Sequence, residues 1–176
     1  MMETKTYKLK DILKIGNGKD HSALADGEYP VFGSGGLMRY ANKYLYDGES
    51  VLLPRKGTLN NIQYFKGKFW TVDTCYYTII NQEIVNPYYL YRLLRSFDFS
   101  GLDSGASIPS MTSKTYYGIK IQLPPLPTQQ RIADFLDRKC AEIDELIAIK
   151  QQKIEALKEY KKSVIFEYVT GKKEVG

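Results

Sequence analysis

The chain has 176 residues, of which 43% are hydrophobic and 26% charged, and its formal net charge is +5. This composition is typical of a folded domain and excludes wholesale disorder, and no apolar run approaches the roughly 18 residues of a membrane span. Residues 1–14 lack the apolar core of a signal peptide, and the distant cysteines Cys75 and Cys140 form neither a disulfide framework nor a metal-ligand spacing. These features predict a protein of the reducing cytoplasm.

The first half of the chain has the pattern of β-structure. Residues 7–15 are a short amphipathic opening, helical or extended, that ends at Gly16-Asn17-Gly18. From residue 26 to residue 78, short runs rich in Tyr, Val, Ile and Phe alternate with turn signals such as Asp47-Gly48 and Lys66-Gly67. This alternation predicts strands near residues 29–32, 38–41, 50–54, 61–65, 69–72 and 75–80.

A helix, a loop and one more strand complete the predicted globular part. Pro87 is well placed to start a helix over residues 88–97, because proline suits the first helical position. A Gly/Ser/Thr-rich loop follows over residues 100–114, and residues 118–123 read as a short apolar strand. We therefore predict an α+β domain over residues 1–127, here called the head.

The last third of the chain predicts one long helix. Thr128 is a suitable N-cap, helical residues run from Gln129 to about Thr170, and Gly171 is a fitting terminator. The predicted divisions are thus a helix over residues 128–171 and a tail over residues 172–176. Such a helix rises about 60 Å, which is more than a domain of the head's size can cover. It therefore requires a partner helix or a role as a spacer.

Apolar residues along this helix recur at alternating steps of three and four. The positions, here called the heptad stripe, are Leu136, Cys140, Ile143, Ile147, Lys150, Ile154, Leu157, Lys161, Val164 and Tyr168. This spacing predicts the seam of a two-helix coiled coil. The alternative is a helix folded back on its own head, and the length of the helix favours a partner.

Charge and loop composition indicate a polyanionic ligand for the head. The head holds 15 Lys and Arg against 11 Asp and Glu, while the remaining residues are nearly neutral. Four loops, over residues 16–22, 33–36, 54–61 and 104–114, combine glycines with hydroxyls, amides and cations that suit phosphates and base edges. Ordinary turns and solubility charge are the alternative reading. The candidate DNA-binding residues are Lys19, Ser34, Arg55, Lys56, Thr58, Asn60, Asn61, Ser107 and Lys114.

Catalytic motifs are weak. The single histidine, His21, lies in a polar loop, and Ser34 lacks the glycine two residues earlier that a nucleophile elbow needs. Asn86-Pro87-Tyr88-Tyr89 resembles the Asn-Pro-Pro-Tyr motif of amino-methyltransferases but lacks its second proline, and no Gly-rich cofactor loop accompanies it. We predict no catalytic residue, metal or cofactor in this chain, with a self-contained DNA adenine methyltransferase fragment as the enzymatic alternative.

The junction between the head and the long helix carries a family resemblance. Residues 119–137 read Ile-Lys-Ile-Gln-Leu-Pro-Pro-Leu-Pro-Thr-Gln-Gln-Arg-Ile-Ala-Asp-Phe-Leu-Asp and strongly resemble the specificity subunits of type I restriction–modification systems. Upstream segments are also similar to recurrent segments of that family. They are residues 29–36, 53–57, 70–74 and 108–112.

The resemblance implies a non-catalytic reader of double-stranded DNA. In that family a target-recognition domain reads a half-site, and conserved helices form an antiparallel coiled coil that binds modification subunits. Those subunits use S-adenosylmethionine, and restriction subunits can join them. One recognition domain and one spacer helix are present here, which is half the usual set and fits a natural half-sized subunit or a fragment. A lone amphipathic helix must still bury its apolar stripe, so we expect a two-fold homodimer in which the long helices run antiparallel. A coiled-coil scaffold bearing a protein-binding head is the non-enzymatic alternative.

Overall fold

The computed structural model describes residues 3–103 and 107–175 and confirms the α+β class. It divides into two compact units, Met1–Ala133 and Asp134–Gly176. A short 3-10 turn covers Ser100–Leu102. The other elements are β1 (Lys5–Lys8), α1 (Leu9–Ile12), β2 (Leu13–Gly16), β3 (Tyr29–Gly33), β4 (Gly36–Ala41), β5 (Tyr46–Pro54), β6 (Gln63–Thr71), β7 (Cys75–Ile80), α2 (Pro87–Arg95), α3 (Ser113–Gly118), β8 (Lys120–Leu123) and α4 (Leu126–Val169).

Six strands form one sheet in the order β2-β7-β5-β6-β3-β4. The pairing of β3 with β6 is parallel, and the other pairings in this sheet are antiparallel. Strand β6 curves strongly, because Thr71 near its end pairs with Phe32 while Gln63 at its start donates from Nε2 to the Gly33 carbonyl at 2.9 Å. Both ends of this nine-residue strand therefore approach the same end of β3.

Paired glycines form the corner of this curve. Gly48 of β5 lies opposite Gly67 of β6, and their φ angles of 147° and 122° fall where side chains are strained. The prediction of separate strands near 61–65 and 69–72 was wrong, because Lys66-Gly67 bends one continuous strand and does not end it. Asp47-Gly48 likewise lies inside β5. The two glycines were predicted to mark turns between strands, and they mark bends within strands.

Aromatic rings fill one side of the curled sheet. The Phe32 ring of β3 lies 5.2 Å from that of Phe65, and the Tyr46 ring lies 5.6 Å from Phe69 and 5.1 Å from Tyr77 of β7. These rings come from four strands and pack with the buried Leu52 and Cys75. The tyrosine-rich composition of the head is thus partly a packing requirement.

The helices cover a second, larger core. Leu90 and Leu94 of α2 are fully buried with Val51 and Leu53 of β5, and the buried Tyr116 of α3 donates its hydroxyl to the Pro54 carbonyl at 2.7 Å. Helix α3 lies partly in the predicted loop 100–114. Its cap is Thr112, whose hydroxyl accepts from the Thr115 N–H at 3.1 Å.

The long helix begins at Leu126, three residues before Gln129, the predicted first helical residue. Strand β8 pairs with β1, Pro124 and Pro125 follow, and α4 starts at Leu126 with Pro127 in its first turn. Thr128 is therefore inside the helix and is not its N-cap. The physical reason is that the first four N–H groups of a helix have no intrahelical acceptor, so a proline there costs no hydrogen bond.

One buried amide ties the start of α4 to the head. The Gln129 Nε2 donates to the carbonyls of Ile84 and Pro124 at 3.0 and 2.9 Å, and its Oε1 accepts from the Asn86 N–H at 2.9 Å. Gln129 is 1% exposed, so these three backbone groups have their polar partner inside the fold.

The 44 residues of α4 span about 66 Å. Gly171, with φ 71°, donates its N–H to the Tyr168 carbonyl, and Lys172 donates to the Glu167 carbonyl at 2.8 Å. This is a Schellman motif, which confirms the predicted terminator. None of the helices in the described residues is long and apolar enough to cross a lipid bilayer.

We predict that Gln129→Ala lowers the free energy of unfolding of the first unit by about 2 to 4 kcal/mol, because three backbone groups lose their partner in a buried setting. The matched control is Gln130→Ala, which removes an exposed hydrogen bond from the Asn86 side chain and should cost less than about 1 kcal/mol. Urea unfolding followed by tryptophan fluorescence measures both. Equal losses in the two variants would contradict the role of Gln129.

Candidate nucleic-acid interface

Two of the predicted loops and the turn between β6 and β7 meet where both ends of β6 approach β3. The Asn61 Nδ2 donates to the Ser34 carbonyl at 2.8 Å, which joins loop 55–61 to turn 33–36. The turn between β6 and β7 closes the group, since the Thr74 carbonyl accepts from the Arg55 N–H at 2.8 Å. The Thr74 hydroxyl also faces the Ser34 N–H at 3.5 Å. The curvature of the sheet therefore assembles loops that are distant in sequence.

The loop before α3 joins the same group. Gly57 donates its N–H to the Pro109 carbonyl at 2.8 Å, and Met111 donates to the Arg55 carbonyl at 2.9 Å. Lys56 and Ser110 form an isolated antiparallel bridge. Loop 107–111 is thus paired by its backbone with loop 55–61. Residues 104–106 of the fourth predicted loop lie outside the described residues.

The first predicted loop reaches the group through a close backbone approach. A Cβ on Gly18 would lie 1.9 Å from the Val72 carbonyl oxygen, so only glycine fits there. Lys19 donates its N–H to the Thr71 carbonyl at 2.8 Å, and its own carbonyl accepts from the Trp70 indole at 2.9 Å. We call the assembled surface, made of residues 17–20, 33–36, 55–61, 72–74 and 107–111, the loop face.

The cationic side chains of the loop face differ in their exposure and in their contacts with the rest of the protein. Lys19 and Lys56 are exposed. Arg55 is half-buried, with its guanidinium 5.8 Å from the Tyr76 ring centre and its Nη1 donating to the Asp73 carbonyl at 3.4 Å. Arg55 is therefore a partly pre-positioned fork, which suits bidentate contacts, whereas the two lysines are mobile point charges.

The two candidate asparagines have structural partners. Asn60 donates from Nδ2 to Asp98 at 3.0 Å and accepts at Oδ1 from the Phe99 N–H at 2.8 Å. The Asn61 amide holds the Ser34 carbonyl. Both amides would have to break these hydrogen bonds to contact a base edge. The free energy of the broken bonds therefore opposes the predicted DNA contacts of Asn60 and Asn61.

The remaining candidates lie at the edges of the loop face. Thr58 is exposed, and its carbonyl accepts from the Asn61 N–H at 3.1 Å. Ser107 is exposed at the start of loop 107–111, and Lys114 is exposed in the first turn of α3, three residues after Met111. Contact of these residues with DNA stays a prediction.

Several residues of this region were missed as candidates. Asp73 and Thr74 hold Arg55 and Ser34 in place, and the apolar Leu37 and Met38 are about half exposed next to turn 33–36. The segment 70–74 was noted for its family resemblance, which was the available signal for Asp73 and Thr74. Leu37 and Met38 read as strand residues, and only the position of β4 at the edge of the sheet shows their exposure.

The Asn-Pro-Tyr-Tyr segment forms a helix cap, as predicted from its proline. The Asn86 side chain accepts from the Tyr89 N–H at 2.8 Å, and Pro87 occupies the first helical turn. The Asn86 Nδ2 also donates to the Gln130 Oε1 at 2.6 Å. Asn86 is thereby engaged in holding α2 and the start of α4.

Helix α4 presents most of the heptad stripe to solvent. Ile143, Ile147, Ile154, Leu157 and Tyr168 are 44–58% exposed, while Leu136, Cys140 and Val164 are partly covered by neighbouring side chains. Ion pairs at i,i+3 spacing, such as Lys139–Glu142 at 2.7 Å and Lys162–Glu159 at 2.6 Å, support the polar surface. An exposed apolar stripe of this length is typical of an interaction surface.

Comparison with known proteins relates the whole architecture to one family. Residues 1–159 match the family described as the type I restriction modification DNA specificity domain. The chain is 29% identical over 143 residues to the putative type I specificity subunit S.MpnORF507P of Mycoplasma pneumoniae, covering 77% of this chain and 39% of the relative. It is 27% identical over 168 residues to the type I restriction enzyme EcoDI specificity subunit of Escherichia coli, covering 93% and 37%.

Solved structures show the same fold. A structure of the type I R-M system described for its complex assembly and conformational transition aligns with a TM-score of 0.75 at 16% identity, over 93% of this chain and 45% of that chain. The HsdS subunit from Thermoanaerobacter tengcongensis aligns with a TM-score of 0.69 at 16% identity, over 93% and 44%. The chain thus spans less than half the length of these proteins.

We predict that Asn60→Ala acts through stability. The variant loses bonds to Asp98 and to the Phe99 N–H, and the free energy of unfolding should fall by about 1 to 2 kcal/mol. Thr58→Ala, two residues away and exposed, should change it by less than about 0.5 kcal/mol. Thermal unfolding by circular dichroism compares them. An unchanged stability of Asn60→Ala would contradict this structural role and leave the Asn60 amide available for contact with a base.

Proposed function

Since the chain belongs to the family of type I restriction modification DNA specificity domains, we propose that it recognises double-stranded DNA through the loop face, as the specificity component of a type I restriction–modification complex. The observation that carries this proposal is the convergence of five loops on one surface, with Lys19, Arg55 and Lys56 among them. A cationic surface built from loops on a rigid sheet suits both phosphate contact and base readout.

The contacts divide by side-chain chemistry. Lys19, Lys56 and Lys114 are exposed ammonium groups, which suit backbone phosphates. The pre-positioned Arg55 suits the O6 and N7 acceptors of guanine in the major groove. The exposed hydroxyls of Thr58 and Ser107 can donate to or accept from either kind of group. The turn 33–36 brings backbone N–H groups close to the duplex.

The chemistry of methylation belongs, in this proposal, to other subunits. The chain acts without a catalytic residue or cofactor of its own, and modification subunits supply S-adenosylmethionine chemistry on adenine. A restriction subunit joins the same complex. The head, residues 1–127, reads DNA, and the long helix, predicted over residues 128–171, holds the enzymes and sets the spacing between half-sites.

We further propose that the heptad stripe pairs with a second copy, with the helices antiparallel. Full overlap of the ten stripe positions places Leu136 opposite Tyr168, Cys140 opposite Val164 and Ile147 opposite Leu157 of the second copy. A two-fold axis then lies near residue 152. In every layer of the seam, an a position of one helix lies opposite a d position of the other. The target of such a dimer is a bipartite, symmetric site.

Flanking charges favour this register. Asp144 lies opposite Lys158 of the second copy, and Lys139 opposite Glu167, so two-fold symmetry creates four opposite-charge pairs. Lys153 meets its own copy at the axis, which costs part of this gain. If the second helix is shifted by one heptad, so that each residue faces a residue seven positions later, Lys150 lies opposite Lys161 inside the seam. Exposed charge pairs such as these add little stability, and their main effect is to favour one register over another.

Methylome mapping of cells that carry the chain with its modification subunits tests the function as a whole. We expect methylated adenines in a split motif whose two halves are inverted copies. A complex that methylates adenine without any sequence motif, or whose motif is unchanged when the head is exchanged for another, would contradict recognition by this chain.

We predict that Lys56→Gln weakens binding to a mixed-sequence 60-base-pair duplex. Loss of one phosphate contact lowers the slope of log affinity against log salt by about 0.9. Fluorescence anisotropy over a potassium chloride series measures this slope. The matched control is Lys162→Gln, an equal charge change on the second unit, which should leave the slope unchanged. Equal slopes for wild type and Lys56→Gln would remove Lys56 from the phosphate contacts.

Cysteine cross-linking tests the dimer. In the antiparallel register Cys140 lies about 36 Å from its own copy and next to Val164 of the second copy. Mild oxidation should therefore leave the wild type uncrosslinked, while Val164→Cys becomes a covalent dimer. The other thiol, Cys75, does not interfere, because burial raises its pKa to about 12 and keeps it protonated.

Leu157→Cys is the register control, since position 157 lies about 10 Å along the helix from Cys140 of the second copy. It should not cross-link to Cys140. A wild-type dimer that cross-links through Cys140 alone would show parallel helices. A monomer at micromolar concentration in analytical ultracentrifugation would show that the stripe binds something other than a second copy.

A further inference from the structure

Helix α2 carries two tyrosine–arginine pairs, Tyr88–Arg92 and Tyr91–Arg95, outside the loop face. Both pairs have i,i+4 spacing, so each arginine lies over its tyrosine on one helix face. The Arg92 Nε donates to the Tyr88 hydroxyl at 3.0 Å, and the Arg95 Nη1 donates to the Tyr91 hydroxyl at 2.9 Å. The two guanidinium groups are thus held by the same construction, one turn apart.

Ring contacts orient both guanidinium groups. The Arg92 guanidinium carbon lies 5.0 Å from the Tyr88 ring centre and 5.5 Å from that of Tyr91, and the Arg95 carbon lies 5.7 Å from Tyr91. Stacking of this kind uses the face of the guanidinium and keeps several of its five N–H donors at the edge. An arginine held in this way loses less conformational entropy when it binds an anion.

Tyr64 of β6 anchors the pairs to the sheet. Its ring lies 5.4 Å from Tyr88 and 5.8 Å from Tyr91, and its hydroxyl donates to Glu49 at 3.2 Å. Burial and the neighbouring Glu49 raise the pKa of Tyr64 to about 12, so it remains a neutral donor. Glu49 also pairs with Lys66 at 2.6 Å, which offsets its charge. We call Tyr64, Tyr88, Tyr91, Arg92 and Arg95 the arginine–tyrosine cluster.

The C-terminal end of helix α2 is tied to the loop face. Arg95, the last residue of α2, lies three residues before Asp98, which accepts a hydrogen bond from Asn60 of the loop face. Three residues span at most about 10 Å, so the flank of a duplex that contacts the loop face near Asn60 can reach Arg95.

Charge identifies the ligand class. Helix α2 has the sequence Pro-Tyr-Tyr-Leu-Tyr-Arg-Leu-Leu-Arg and carries two cations without an acidic residue. Simple packing explains Leu90 and Leu94, which are buried, but not the exposed Arg95. Two pre-positioned forks on one face match successive phosphates of a polynucleotide backbone, which guanidinium groups bind in bidentate fashion.

We propose that Arg92 and Arg95 bind backbone phosphates of the duplex outside the bases that the loop face contacts. This inference rests on the proposed DNA-binding function and adds a second, sequence-independent part to the interface. The tyrosines act as positioning residues, because their hydroxyls and rings hold the guanidinium groups and do not themselves touch DNA.

The test uses the full chain and a mixed-sequence 60-base-pair duplex, with anisotropy measured over a potassium chloride series. Arg92→Gln/Arg95→Gln should bind about tenfold more weakly, and its salt slope should fall by about 1.8, which is two phosphate contacts. Tyr91→Phe should weaken binding with the slope retained, because the charge stays while its position is lost. Arg138→Gln is the matched control, since Arg138 stacks on Phe135 at 6.0 Å in the second unit; it should match wild type.

The outcomes separate this inference from the proposed function. If wild type shows no salt-sensitive binding alone or with a modification subunit, DNA recognition itself fails. If wild type binds and the double arginine variant keeps its affinity and slope, only the cluster's role fails. If the double variant keeps DNA binding but loses a co-purifying modification subunit, the cluster is a protein contact and the inference is overturned. Circular dichroism confirms that each variant is folded before it is counted.

Discussion

The bend of strands β5 and β6 at Gly48 and Gly67 is the constraint on which the rest of the head depends. A straight nine-residue strand would separate its ends by about 26 Å, and loop 55–61 would then lie far from turn 72–74. Positive φ angles at two glycines placed opposite each other allow both strands to turn together. The sheet then curls around an aromatic core, and the loops that join its strands meet on one surface.

The curl also explains how the loop face combines a fixed backbone framework with exposed side chains. Loop backbones are held by hydrogen bonds to one another, as between Gly57 and Pro109 or between Arg55 and Thr74. Side chains such as Lys56 and Thr58 are exposed on this framework. In the proposed function, substitution at such positions changes the DNA sequence that is recognised and leaves the framework intact, as is typical of binding residues carried on loops.

The long helix follows a different principle. Its first turns belong to the first compact unit, where Gln129 satisfies three backbone groups and Ala133 is buried. Beyond that point most apolar residues of the heptad stripe are exposed, and their burial against a second helix is the source of free energy in the proposed dimer. The proposed recognition surface and the proposed dimer seam thus lie in different compact units.

Patterns of residue type along the chain predicted most helices and strands correctly, but two individual signals, Lys66-Gly67 and Thr128, were misread. The strands near 29–32, 38–41, 50–54 and 75–80, the helix after Pro87 and the Gly171 terminator all correspond to observed elements, because each follows from local propensity. Lys66-Gly67 misled because glycine permits both a turn and a bend, and only cross-strand pairing with Gly48 distinguishes them. Thr128 misled because Pro127 is tolerated in the first helical turn, so the helix starts before the candidate cap.

By itself the sequence determined the fold class, the family resemblance at the proline junction and the heptad stripe of the helix. These depend on residue type and spacing over short ranges, where steric and hydrophobic preferences act directly. Only the tertiary structure decided which loops form one surface, that the Asn60 amide binds the Asp98 side chain and the Phe99 N–H, and that Tyr88 and Tyr91 hold Arg92 and Arg95. The first two of these facts depend on how a curled sheet brings distant residues within hydrogen-bonding distance, and no local pattern encodes that distance.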